Sequence, residues 1–197
     1  MACGGFQSVT SGTDFTCAIE ADGEMDCWGY SDDGQTALPS DLTSLGTAQF
    51  NVGGTASCLI NDNGSLKCFG DPEFSTPLLS EMPTSGVFTQ VAGTYQSACA
   101  IKDNGSLVCW GGLNITSAGP FVQVAANHYH ACAVSPFGGV TCWGANNGES
   151  TPPAGVLFRQ VSTGLDFTCG IKADNTLQCW GPTTTTTPTR PPARTNK

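Results

Sequence analysis

Residues 17–28 read CAIEADGEMDCW, a stretch with the marks of a β-hairpin. If Cys17 and Cys27 lie opposite one another, the hairpin centres on Asp22 and turns through Ala21-Asp22-Gly23. A loop of that length wants a left-handed residue in third place. Four further stretches repeat the pattern: 58–69, 99–110, 132–143 and 169–180. Their third loop residues are Gly64, Gly105, Gly138 and Asn175, all tolerant of positive φ. Counting inward from the loop makes Ile19/Met25 and Cys17/Cys27 non-hydrogen-bonded pairs, whose side chains approach most closely. The Ile19/Met25 slot is apolar in every copy: Ile60/Leu66, Ile101/Leu107, Val134/Val140 and Ile171/Leu177. The register therefore predicts five disulfides: Cys17–Cys27, Cys58–Cys68, Cys99–Cys109, Cys132–Cys142 and Cys169–Cys179. Pairs of free buried thiols are the alternative. Cys3 falls outside the ladder, unpaired or intermolecular.

Outward from each hairpin the repeat continues. An aromatic and a glycine follow the second cysteine, placing Trp28, Phe69, Trp110, Trp143 and Trp180 in one slot. Eleven residues before the first cysteine stands Phe6, Phe88, Phe121 or Phe158, with Val9, Val91, Val124 or Val161 three further on. The second copy has Thr47 and Phe50 in those places. The segments FQSV, FTQV, FVQV and FRQV are read as strands. Tandem units of this size, each a small sheet, suit a β-propeller, with a β-solenoid as runner-up. Repeats are expected at about 6–46, 47–87, 88–120, 121–157 and 158–181, giving a propeller over 1–181 and a Thr/Pro-rich basic tail over 182–197. The fold class is all-β: five short blades, each with a disulfide-bridged hairpin, and an extended C-terminal tail.

CAIEADGEMDCWG followed by Asp33-Gly34-Gln35 resembles the repeat of the regulator-of-chromosome-condensation family of β-propellers, which includes a secreted enzyme inhibitor. The resemblance runs from Phe6 to Gly181. It implies a propeller, normally of seven blades, whereas five repeats are counted here. The family's N-x-x-G-Q element persists only near Asp32–Gln35, with an echo at Asn146–Glu149.

Charge narrows the function. The chain of 197 residues has net charge −9. All 16 acidic residues precede Pro182 and face 4 basic ones, so the body is −12, whereas Arg190, Arg194 and Lys197 make the tail +3. An acidic body argues against a nucleic-acid partner. The basic tail is expected to dock on an acidic groove of another subunit or to fold back on the body. No apolar run is long enough for a membrane-spanning helix. The start, MACGGFQSVTSG, lacks the basic and apolar regions of a signal peptide.

Motifs for chemistry are sparse. His128, His130 and Cys132 form H-Y-H-A-C, but Cys132 is better used with Cys142, so no metal site is expected. No triad or zincin motif appears. The acid pairs Asp32/Asp33, Glu20/Glu24 and Asp22/Glu24 read as solvated turns, and no catalytic residue or cofactor is assigned. Asn63, Asn104 and Asn114 match the glycosylation pattern, the first two inside hairpin loops. The expected function is a non-enzymatic structural or interaction protein. A decoration component of an extracellular assembly such as a virion surface (capsid or tail) leads, docking through its tail and blade loops on other protein subunits. A carbohydrate-binding lectin propeller and a secreted inhibitor of another enzyme are the alternatives.

Overall fold

The structure is a computed structural model and describes residues 5–12, 14–32, 34, 36–38, 47–53, 56–70, 76–94, 97–127 and 129–182. Cys3, His128, Asp33, Gln35, Arg190, Arg194 and Lys197 lie outside them.

Five antiparallel sheets follow one another along the chain. Blade one comprises β1 (Phe6–Ser11), β2 (Phe15–Glu20) and β3 (Met25–Gly29). Blade two has β4 (Thr47–Val52), β5 (Ala56–Asn61) and β6 (Leu66–Gly70), followed by the short helix α1 (Thr76–Ser80). Blade three gains a fourth strand: β7 (Phe88–Thr94), β8 (Ser97–Lys102), β9 (Leu107–Gly111) and β10 (Ile115–Ser117). Blade four contains β11 (Gln123–Ala126), β12 (His130–Val134) and β13 (Val140–Gly144), and blade five β14 (Phe158–Thr163), β15 (Thr168–Lys172) and β16 (Leu177–Trp180).

The hairpins have the register the loop chemistry implies. Cys17 lies opposite Cys27 and Ile19 opposite Met25. In the loop, Gly23 N–H donates to Glu20 C=O at 3.0 Å and Glu20 N–H to Glu24 C=O at 2.8 Å. The third loop residue is left-handed in every blade, from Gly23 (φ 87°) to Asn175 (φ 68°). The second locks the turn with its side chain: Asp22, Asn63, Asn104 and Asp174 each accept from the backbone N–H two residues on. All five hairpins are disulfide-bridged, with Cα separations of 3.9–4.1 Å.

The inner strands differ from plain alternation. In a regular strand, residues three apart point to opposite faces, which would separate Phe88 from Val91. The register shifts between Phe88 and Gln90, and likewise between Phe6 and Ser8, Thr47 and Gln49, and Phe158 and Gln160. The bulge absorbs one residue and returns phenylalanine and valine to a common face.

Each blade thus has an aromatic face and a disulfide face, and the core forms where the disulfide face of one meets the aromatic face of the next. Cys58, Ile60 and Leu66 pack on Phe88, Val91 and Trp110. Cys99, Ile101 and Leu107 pack on Phe121, Val124 and Trp143, and Cys132 and Val134 on Phe158, Val161 and Trp180. Cys17 and Ile19 meet Phe50 and Phe69, so Phe50 fills the valine slot of the divergent second repeat. The helix serves this packing: Leu78 is buried, and its carbonyl accepts the Trp110 indole N–H at 2.8 Å.

Candidate interaction surfaces

The first element that reaches between blades is a glutamine. Gln49 donates its amide to Val91 C=O at 3.0 Å and accepts from Val91 N–H at 2.6 Å. Gln123 repeats this on Val161, at 3.0 and 2.9 Å. Gln90 accepts from Val124 N–H at 2.8 Å. The side-chain amide imitates a backbone peptide and extends the hydrogen bonding of one inner strand to the next. Asn51 adds an acceptor for Gly93 N–H. Gln49, Asn51 and Gln90, with Thr10, Ser11, Ser162 and Thr163, line a channel of about 400 Å³ bordered by all five inner strands. The recurring glutamine was visible in FTQV, FVQV and FRQV, but its reach lay beyond a strand-by-strand reading.

Between blades four and five lies a buried polar chain. Thr168 Oγ1 donates to Glu149 C=O at 3.0 Å, so its lone pair receives His130 Nε2–H at 2.8 Å. His130 therefore carries a proton on Nε2, and burial lowers its pKa against the opposing charges of Glu149 and Asp166. Glu149 Oε2 accepts Asn147 N–H at 2.8 Å, shaping the loop that carries the family's glycine element. His130 thus acts as an interblade post. Among the described residues, no three His, Cys, Asp or Glu side chains come together as metal ligands.

The rim at the hairpin loops is apolar near blades four and five. Val122, Pro136, Phe137, Leu157, Arg159 and Ala173 enclose a groove of about 350 Å³. Phe137 is 86% exposed, and Val122 and Leu157 more than half exposed.

Apolar side chains stand exposed on the first and the last described blade. Phe6, Val9 and Trp28 of blade one are 59, 66 and 50% exposed, whereas their counterparts Phe158, Val161 and Trp180 are 2, 2 and 7%. Of the other blade aromatics, Phe69 and Trp110 are buried and Trp143 half-buried. Leu177 is exposed on the disulfide face of blade five. The acidic residues Glu24, Asp26 and Asp32 are exposed; Glu20 beside them is half-buried, its pKa raised by desolvation and by Asp22, Asp26 and Glu24. Asn63, Asn104 and Asn114 are also exposed.

The geometry defines a propeller built of disulfide-bridged hairpin blades. Its repeat resembles that of the RCC1-like propellers: the family model of the Regulator of chromosome condensation (RCC1) repeat matches residues 6–35 and 158–181. Among solved structures, the CRINKLY WD40 ectodomain of the Arabidopsis thaliana receptor kinase ACR4 aligns with TM-score 0.74 and 23% identity, over 92% of this chain and 65% of that one. Prp20p of Saccharomyces cerevisiae, whose structure is described with its binding to Gsp1p and histones, aligns with TM-score 0.64 and 14% identity over 83% and 55%. The C-terminal domain of gp131 from bacteriophage phiKZ gives 0.52 and 12%, over 74% and 53%. The chain spans less than two thirds of each of these structures. No curated protein matches. No helix among the described residues is long and apolar enough to cross a membrane.

Proposed function

We propose that this is a non-enzymatic structural and interaction protein, an accessory component on the surface of an extracellular assembly such as a virion, which contacts other subunits through its blade loops. The observation that carries the reading is Phe137. Its slot in four other hairpins holds Asp22, Asn63, Asn104 or Asp174, each accepting a turn hydrogen bond. Blade four replaces that acceptor with a phenylalanine held in solvent beside Leu157 and Val122. The turn is rescued by Ser135 Oγ, which accepts Gly139 N–H at 3.1 Å. An apolar group at a loop tip, above an apolar groove, suits a surface that another protein covers. The five disulfides suit an oxidising space outside the cell. The fold likeness to a phage protein fits a virion setting without specifying it.

The test is occupancy. Wild-type protein, F137D and L157D are mixed under oxidising conditions with virus particles purified from the source of the sequence and pelleted through sucrose. The wild type should sediment with the particles and both variants should stay in the supernatant, with circular dichroism unchanged. F137D sedimenting as well as wild type, or wild type failing to sediment, overturns the reading.

A further inference from the structure

Three acids distinguish the uncovered aromatic face of blade one from every other blade. Side chains alternate along β2 and β3, so Glu20, Glu24 and Asp26 share the face of Trp28, opposite the disulfide. The Asp26 slot holds Lys67, Val108, Thr141 and Gln178 in the other blades. The Glu24 slot holds Ser65, Ser106, Gly139 and Thr176, and the Glu20 slot Asn61, Lys102, Ser135 and Lys172. The counterpart faces of blades two to five pack on the apolar disulfide face of a preceding blade. Blade one instead combines exposed Phe6, Val9 and Trp28 with a carboxylate rim, which suits a cover that is both cationic and able to lie flat on aromatic rings.

The chain has one such segment. Residues 183–197, TTTTTPTRPPARTNK, have Arg190, Arg194 and Lys197 as their only charges and Pro191-Pro192 between the arginines. Paired prolines favour the polyproline II conformation, whose flat ridges dock on aromatic surfaces, and flanking arginines add carboxylate and ring contacts. The segment leaves the body at Pro182, directly after β16 of blade five. Blades five and one border the same channel, through Ser162 and Thr163 on one side and Thr10 and Ser11 on the other. In polyproline geometry the eight residues from Thr183 to Arg190 span roughly 25 Å, and the whole tail about 45 Å.

We propose that the C-terminal tail folds back across the gap between blades five and one and covers the aromatic face of blade one of its own chain, with Pro191 and Pro192 on Trp28 and Arg190 and Arg194 among Glu20, Glu24 and Asp26. Attachment in the same molecule gives the tail a high effective concentration, so contacts too weak for a separate peptide suffice. The tail then acts as a strap over the blade whose aromatic face is exposed at Phe6, Val9 and Trp28. This assignment is independent of the rim surface that contacts other subunits.

The experiment uses the full-length oxidised chain and follows the Trp28 indole N–H by NMR, assigned by its loss in W28F. In wild type the Trp28 signal should be protected from solvent exchange. In R190E/R194E it should move and exchange several-fold faster. Reversing the other partner in the same molecule, E24R/D26R with R190E/R194E, should return protection, while E24R/D26R alone should lack it. A Trp28 signal unaffected by R190E/R194E overturns the proposal, as does failure of the fourfold swap to restore protection while circular dichroism stays native. Sedimentation velocity on the wild type separates the two possible hosts of the tail: a monomer with Trp28 protected supports docking within one chain, and protection that appears only with a dimer overturns it.

Discussion

Replacing Gln123 with methionine tests whether side-chain amides hold the blades together. Methionine keeps the length and apolar stem of glutamine but removes both polar atoms. Two hydrogen bonds to Val161 are lost, and its N–H and C=O lose their partner. A hydrogen bond contributes about 1 kcal/mol net, and a buried group left unpaired costs about 1–3 kcal/mol. Gln123 is only half-buried, so water can reach part of the vacated site and the low end applies. The expected loss is about 2 kcal/mol, or roughly 4–8 °C in Tm for a protein of this size. Gln160 occupies the same slot in blade five, is exposed, and has no side-chain hydrogen bond among the described residues. Gln160→Met should therefore change stability by less than about 0.5 kcal/mol. Urea unfolding of wild type and both variants under oxidising conditions measures the difference, and hydrogen exchange at the Val161 amide localises it. Equal effects of the two substitutions, or an unchanged Val161 exchange rate in Q123M, would refute the clamp.

Phe158→Ala should cost about 3–5 kcal/mol, because Phe158 is fully buried against Trp180 at a ring separation of 5.2 Å; the urea midpoint measures it, and a loss below about 1 kcal/mol contradicts the interblade packing. Reduction should lower the melting temperature of the body sharply, since each closed hairpin loop contributes roughly 2–3 kcal/mol in the chain-entropy model; matching melts with and without reductant would show the cross-links to be dispensable. Acidification from pH 7.5 to 5.5 should weaken the fold through His130. Its pKa is lowered on folding, so below about 6.5 the unfolded chain takes up a proton that the folded chain refuses. His130→Gln should flatten that slope, and an unchanged slope would place its origin elsewhere.

The hairpins were legible because every constraint on them is local. Cysteine spacing, a left-handed third loop residue and an apolar cross-strand pair all fall within a dozen residues, and they agree in five copies. The bulge after Phe88 was less legible, since it shows only as an odd spacing between Phe88 and Val91 that a period-two reading passes over. Contacts between blades were harder still. Gln123 reaches Val161 across 38 residues, and nothing in FVQV by itself distinguishes an amide that bridges strands from one in solvent. His130 stands out in H-Y-H-A-C, but its partners do not, because Thr168 and Glu149 arrive from different segments. Phe137 is hard to read for the opposite reason: its meaning lies in the departure of one loop from the Asx chemistry of the other four.

Among the described residues, each disulfide joins a cysteine to the next one along the chain, and none crosses from blade to blade. In a chain that emerges N-terminus first, the two thiols of a hairpin appear only ten residues apart, before the next pair. Pairing at the shortest separation, ten residues within a hairpin against the longer span from Cys3 to Cys17, is then native oxidation. Each hairpin can therefore be sealed on its own before its successor is complete, and a wrong bond between blades has to form over a longer span than the right one.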